Sequence, residues 1–186
     1  MPIGQAKFGL LGGVADPGKL ELIETKTFSG VSFVDFTSIK ETTYDTHFFT
    51  CNNMTLDSGT SSIAIRFYES GVLESASVYA YSYQNRDTTG AISTTVATAG
   101  ANSRIFVTGS IGTGDNVAGS YGYIYNAGNS SKYTDMNMFC SFKKTYVSTR
   151  YGGGVLPQSS TVDGIRFFDT GGNGFSGSIS LYGVLN

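Results

Sequence analysis

Apolar residues recur at every second position along this chain, and no stretch keeps an i, i+3, i+4, i+7 stripe through three turns. That periodicity belongs to half-buried strands, whose successive side chains point to opposite faces. Ile63, Ile65 and Phe67 alternate with Ala64, Arg66 and Tyr68. Met136, Met138, Cys140 and Phe142 alternate with Asn137, Phe139, Ser141 and Lys143, and Ile179 and Leu181 with Ser178, Ser180 and Tyr182. Shorter candidates lie near 19–26, 31–37, 46–52, 77–83, 103–108, 120–125 and 164–169. Turn clusters such as Asp57-Ser58-Gly59, Asp87-Thr88-Thr89-Gly90 and Gly171-Gly172-Asn173-Gly174 separate them. About ten short strands with glycine-rich connections predict an all-β fold, an antiparallel β-sandwich of jelly-roll type. No Pro-rich or charged linker divides residues 15–186, which read as one domain.

One stretch is echoed. Ile65-Arg66-Phe67-Tyr68-Glu69-Ser70-Gly71 matches Ile165-Arg166-Phe167-Phe168-Asp169-Thr170-Gly171, and each copy is followed by a second strand. Each unit reads as a hairpin with its Ile and Phe pointing inward. The second strands also bear on two tyrosine ladders, Tyr79, Tyr81, Tyr83 and Tyr121, Tyr123, Tyr125, each on one face of a strand. Tyrosine joins apolar area to a hydroxyl at small entropic cost, which suits an interface as well as a core. Matching Val78 and Ala80 to Ile179 and Leu181 turns the first ladder outward. Tyr79, Tyr81 and Tyr83 are therefore the expected interface, while the second ladder stays open between core and interface.

Composition narrows the chemistry. Charged residues make up 14% of the chain and the net charge is −2, which leaves no basic footprint for nucleic acid or anionic lipid. No run approaches the ~20 apolar residues of a membrane helix. Cys51 and Cys140 make no metal-binding or CxxC spacing and fall on inward strand faces, where small buried free thiols are expected. Gly13-Val14-Ala15-Asp16-Pro17-Gly18-Lys19 fits the glycine and lysine spacing of a phosphate-binding loop. Leu20 stands where that loop needs a hydroxyl, and a strand pattern follows where it needs a helix. His47 is the only histidine, no Gly-x-Ser-x-Gly elbow occurs, and no calcium loop is formed. The carboxylates are scattered and many sit in turns, where they cap backbone. Asn53-Met54-Thr55 and Asn129-Ser130-Ser131 are chance sequons in a chain so rich in Ser and Thr. No catalytic, cofactor or metal residue is assigned.

Residues 1–14 read differently from the rest. Ile3, Phe8, Leu10, Leu11 and Val14 are too apolar for a solvated tail, while Gly4, Gly9, Gly12 and Gly13 deny it a helix or central strand of its own. Such a segment predicts an arm that docks on a neighbouring subunit as an added edge strand. Met1 to Lys7 lacks the basic start and apolar core of a secretion leader, so assembly in a cytoplasm is expected.

The opening Met1-Pro2-Ile3-Gly4-Gln5-Ala6-Lys7-Phe8-Gly9-Leu10-Leu11-Gly12-Gly13, the stretch Val34-Asp35-Phe36-Thr37-Ser38-Ile39 with Thr43-Tyr44-Asp45, and the ending Ile165-Arg166-Phe167-Phe168-Asp169 with Gly177-Ser178-Ile179-Ser180-Leu181-Tyr182-Gly183-Val184 resemble small structural proteins of tailed bacteriophages, marine ones especially. The resemblance implies a virion component built as a jelly-roll-like sandwich and brings no catalytic residues. The expected function is a non-enzymatic capsid decoration or cement protein, assembled in the host cytoplasm, whose partners are other virion proteins and copies of itself. The alternative is a tail-fibre or receptor-binding module whose tyrosines stack on host glycans. Neither reading involves nucleic acid or membrane as a partner.

Overall fold

A computed structural model describes residues 19–114, 117–143 and 145–185. The expected arm, with Ile3, Phe8, Leu10, Leu11 and Val14, lies outside the described residues. The described residues form thirteen strands: β1 (Leu20–Val31), β2 (Phe33–Phe36), β3 (Thr46–Leu56), β4 (Ile63–Glu69), β5 (Val72–Leu73), β6 (Tyr79–Asp87), β7 (Ile92–Asn102), β8 (Ile105–Phe106), β9 (Ala118–Tyr125), β10 (Tyr133–Lys143), β11 (Val147–Ser159), β12 (Val162–Asp169) and β13 (Phe175–Val184). Among the described residues there is no helix.

The strands make two antiparallel sheets packed as a β-sandwich. The larger has the order β1-β13-β3-β9-β10-β11-β6-β7; the smaller runs β2-β12-β4-β5, with β8 also paired to β4. Within these orders lies the jelly-roll arrangement, β1-β13-β3-β9 facing β2-β12-β4-β8. Two excursions enlarge it. β5 to β7 are inserted before β8, and β10 and β11 before β12, so that β10, β11, β6 and β7 extend the larger sheet beyond β9.

The core follows from the alternation. Phe49 on β3 packs edge-on against Phe167 on β12, with ring centroids 5.6 Å apart, and Phe167 meets Phe36 on β2 at 5.9 Å. Ile65, Phe67, Ile165 and Phe167 are all fully buried, as the echo requires. Their strands pair with each other, Ile65 opposite Phe167, Arg66 opposite Arg166 and Phe67 opposite Ile165, so the repeat folds about a local two-fold. Two arginines face each other across this axis, a repulsive placement. Arg166 is held by a two-pronged bond to Asp35, at 2.7 and 2.6 Å, above the Phe33 ring. Arg66 leans away, donating to the Ser103 carbonyl and covering Phe168.

The two echoed hairpins do not form as such. β12 runs into β13 and β4 leads to β6, in each case from the smaller sheet into the larger. Only the short β5 turns back on β4, through Ser70 and Gly71, whose φ angles of 52° and 77° suit a tight two-residue turn. The echoed units are corners between sheets.

The extension has its own lid from beneath. Residues 103–111 bring Ile105 against Gly154 of β11 and the Phe106 amide onto Tyr83 of β6, and Ile105, Val107 and Ile111 are fully buried. Arg150 on β11 reaches down to Asn85 Oδ1 at 2.6 Å and the Thr108 carbonyl at 2.8 Å, with the Tyr83 and Phe106 rings around it. Burial lowers its pKa, and these acceptors and rings replace the lost water. Cys51 and Cys140 are free and buried, each opposite Ser120 on β9 from its own side. Two strand spacings, about 10 Å, separate them, beyond disulfide reach. Burial pushes the Cys51 thiol up to about 12 and Cys140 to about 11, which keeps both protonated and inert.

Candidate functional site

The first tyrosine ladder is core, contrary to the interface expected at Tyr79, Tyr81 and Tyr83. All three point inward, at 0%, 9% and 1% exposure. The Tyr79 hydroxyl accepts from the Phe67 amide and donates to the Glu74 carbonyl, both at 3.0 Å, and the Tyr83 hydroxyl accepts from the Phe106 amide at 3.0 Å. Burial raises both phenol pKa values. The cause of the reversal is a slip of one residue. The echo runs at a constant spacing of 100, which sets Tyr79 and Tyr81 on the buried Ile179 and Leu181. Matching Val78 to Ile179 shifts the phase by one and turns every side chain over.

The second ladder is the one that faces solvent. On β9, Ile124 and Ser120 point inward, so Tyr121, Tyr123 and Tyr125 stand on the outer face of the larger sheet. Strand register extends them into two cross-strand rows. One runs Tyr182, Phe48, Tyr123, Asn137 over β13, β3, β9 and β10; the other runs Tyr121, Phe139, Tyr151, Gln84 over β9, β10, β11 and β6. The rings touch. Phe48 lies 4.9 Å from Tyr123, 6.0 Å from Tyr182 and 6.2 Å from Tyr121; Tyr121 lies 5.7 Å from Phe139. Tyr121, Phe139 and Tyr151 remain 49%, 37% and 48% exposed, a heavy share for large aromatics.

Between them is a shallow depression of about 490 Å³ lined by Tyr121, Tyr123, Tyr125, Asn137, Met138, Phe139, Tyr151 and Gly152. No charged side chain is among these. Its polar groups are neutral and already oriented. The Asn137 amide donates to the Tyr125 hydroxyl at 3.0 Å while its oxygen accepts from the Tyr123 amide, and the Tyr151 hydroxyl donates to Gln84. The face can stack flat apolar groups and exchange a few neutral hydrogen bonds.

The residues that carry chemistry lie elsewhere. His47, fully buried, contacts the Ile39 carbonyl through Nε2 at 2.7 Å, and its Nδ1 has no partner among the described residues. Burial lowers its pKa, since a charge there would be cut off from water. Asp169 accepts from the Ser61 hydroxyl and from the Gly171 and Asn173 amides, which fixes the turn between β12 and β13. Among the described residues, no three His, Cys, Asp or Glu side chains gather into a metal-binding group.

No family model matches this chain, and no curated protein matches it. Among solved structures, the crystal structure of A. japonicus CB05 matches with a TM-score of 0.31 and 12% identity over 97% of this chain. The chain spans 28% of that protein's length. A likeness at this level carries no argument about fold or function.

Proposed function

We propose that the chain is a non-enzymatic structural protein of a bacteriophage virion, a decoration or cement subunit that binds a neighbouring virion protein through the outer aromatic face of its larger sheet. The observation that carries this reading is the contiguous aromatic surface over β13, β3, β9, β10 and β11, three of whose rings are more than a third exposed. Aromatics leave water where a partner will cover them, and the absence of charge in the central depression suits the dry middle of an interface. The virion setting rests on the sequence resemblance, and assembly in the host cytoplasm goes with it.

The neutral rim supports a second reading. Oriented amide and hydroxyl groups around aromatic rings are also what a host-surface glycan would need, as in a tail-fibre or receptor-binding module.

Replacing Tyr121 and Phe139 together by Ala separates the cases, because both rings lie outside the core. The doubly substituted protein is expected to fold and melt nearly as the parent does. Its incorporation into particles should fall by about tenfold or more, as loss of central aromatic anchors does. Normal incorporation would remove this face from virion attachment. Retention of the parent protein, and not the variant, on immobilised host-surface polysaccharide would favour the glycan reading.

A further inference from the structure

We infer that β7 is a self-association edge: two copies of this chain pair their β7 strands antiparallel about a two-fold axis at Thr94, joining their eight-stranded sheets into one. β7 ends the larger sheet and, among the described residues, pairs with β6 alone, over Ile92 to Ala97 and, after a register shift, at Asn102. An edge strand presents unpaired N–H and C=O groups, and natural sheets guard such edges with charge, proline or cover. The opposite edge is guarded, since β1 carries Glu21, Glu24 and Lys26. The eleven residues of β7 include no charge and no proline.

The side chains name the occupant. Ile92 and Val96 are 53% and 67% exposed, and they stand two residues either side of Thr94. An antiparallel pair centred on Thr94 sets Ile92 of each copy opposite Val96 of the other, so each exposed apolar side chain covers its complement. Identical strands always satisfy this two-fold, and nothing charged on β7 repels a second β7.

The register fixes what the dimer presents. Thr94 lies opposite Gln84, and Gln84 opposite Tyr151, so the row through Tyr151, Phe139 and Tyr121 runs straight to the axis. A two-fold perpendicular to the sheet keeps both aromatic faces on the same side. Their centres, at Phe139, are seven strand spacings or roughly 34 Å apart. Two weak sites become one bivalent surface, whichever partner they bind. Strand addition with one apolar pair per half buries little area, so the dimer should assemble in the micromolar range or weaker.

Sedimentation equilibrium of the 186-residue chain, from micromolar to millimolar, tests the association. The mass should rise with concentration from 19.7 kDa towards twice that value. Ile92→Lys with Val96→Lys sets like charges across the pair and should weaken association by roughly tenfold or more. Both sites are more than half exposed, so an unchanged far-UV spectrum and melting curve are expected. Thr94→Cys tests the axis: under mild oxidation the two thiols lie within about 4.5–5.5 Å between backbones and should crosslink. Thr98→Cys, with its copies roughly 25 Å apart, should not. A chain that stays monomeric throughout, an association the lysines leave intact, or crosslinking at Thr98 equal to that at Thr94 would each overturn the inference.

Discussion

Phe167→Ala is expected to cost about 3–5 kcal/mol of stability, the range for emptying a large aromatic from a packed interior. Phe167 is fully buried on β12, at the centre of the smaller sheet, and projects across to the larger one. Its ring is wedged edge-on between Phe36 and Phe49, so one residue links β2, β12 and β3. Phe49 sits on β3, whose backbone is bonded to β13 on one side and β9 on the other, so it cannot move in to close the gap. For a chain this long, the loss corresponds to a melting point lower by roughly 6–20 °C. Urea unfolding should show a lower midpoint at an unchanged slope. Phe139→Ala removes a ring of the same size from the exposed face and should cost far less. If Phe167→Ala cost under about 1 kcal/mol, the two sheets would not be held together where their aromatics meet.

That contrast between two phenylalanines was legible in the sequence, because each strand declares its inner face by alternation. On β10, Met136, Met138 and Cys140 mark the core and leave Phe139 outside. The same rule, applied strictly to β6, sets Tyr79, Tyr81 and Tyr83 against Ala80, Ser82 and Gln84, and so turns the tyrosines inward. Matching Val78 to Ile179 across the echo runs against that local pattern and reverses the ladder. β9 was harder to read, since its tyrosines alternate with Ser120, Gly122 and Ile124, and only Ile124 speaks for the core. The gathering of Tyr182, Phe48, Tyr121, Phe139 and Tyr151 into one surface depends on strand order across five strands, which no local pattern encodes.

β7 and β11 lack a strand signature in the sequence for different reasons. β7 is exposed along most of its length, so it has no buried face to impose alternation. β11 carries Gly152-Gly153-Gly154 and Pro157, which read as loop. Pro157 is tolerated because the pairing of β11 with β6 ends at Val155, and the register with β10 shifts beyond Leu156.

Gly152→Ala is expected to destabilise the chain by about 2–4 kcal/mol and to loosen the sheet extension selectively. Gly152 holds a φ of +151°, a conformation that side chains rarely adopt, and strain of that kind costs about 1–3 kcal/mol. A Cβ there would also stand 2.1 Å from the Ser82 carbonyl oxygen and 2.8 Å from the Tyr83 Cα, both backbone atoms of β6. A flexible side chain could move aside; a strand cannot do so without parting from its neighbour. Among the described residues, β6 joins the rest of the larger sheet through β11 alone, and β7 follows β6. Pushing β6 away therefore weakens two strands at once, along with the Tyr83 hydroxyl bond that anchors the Phe106 amide below. Hydrogen exchange should accelerate in β6 and β7 while β3, β12 and β13 stay protected. Gly71→Ala is the control: its φ is also positive, at +77°, but no atom lies within 4 Å of the added carbon, so only the backbone strain should register. Equal losses for the two alanines would mean that close approach of β11 to β6 does not hold the extension in place. Selective exchange in β6 and β7 with a larger loss for Gly152→Ala would tie the order of the edge strand to the close approach of β6 at Gly152.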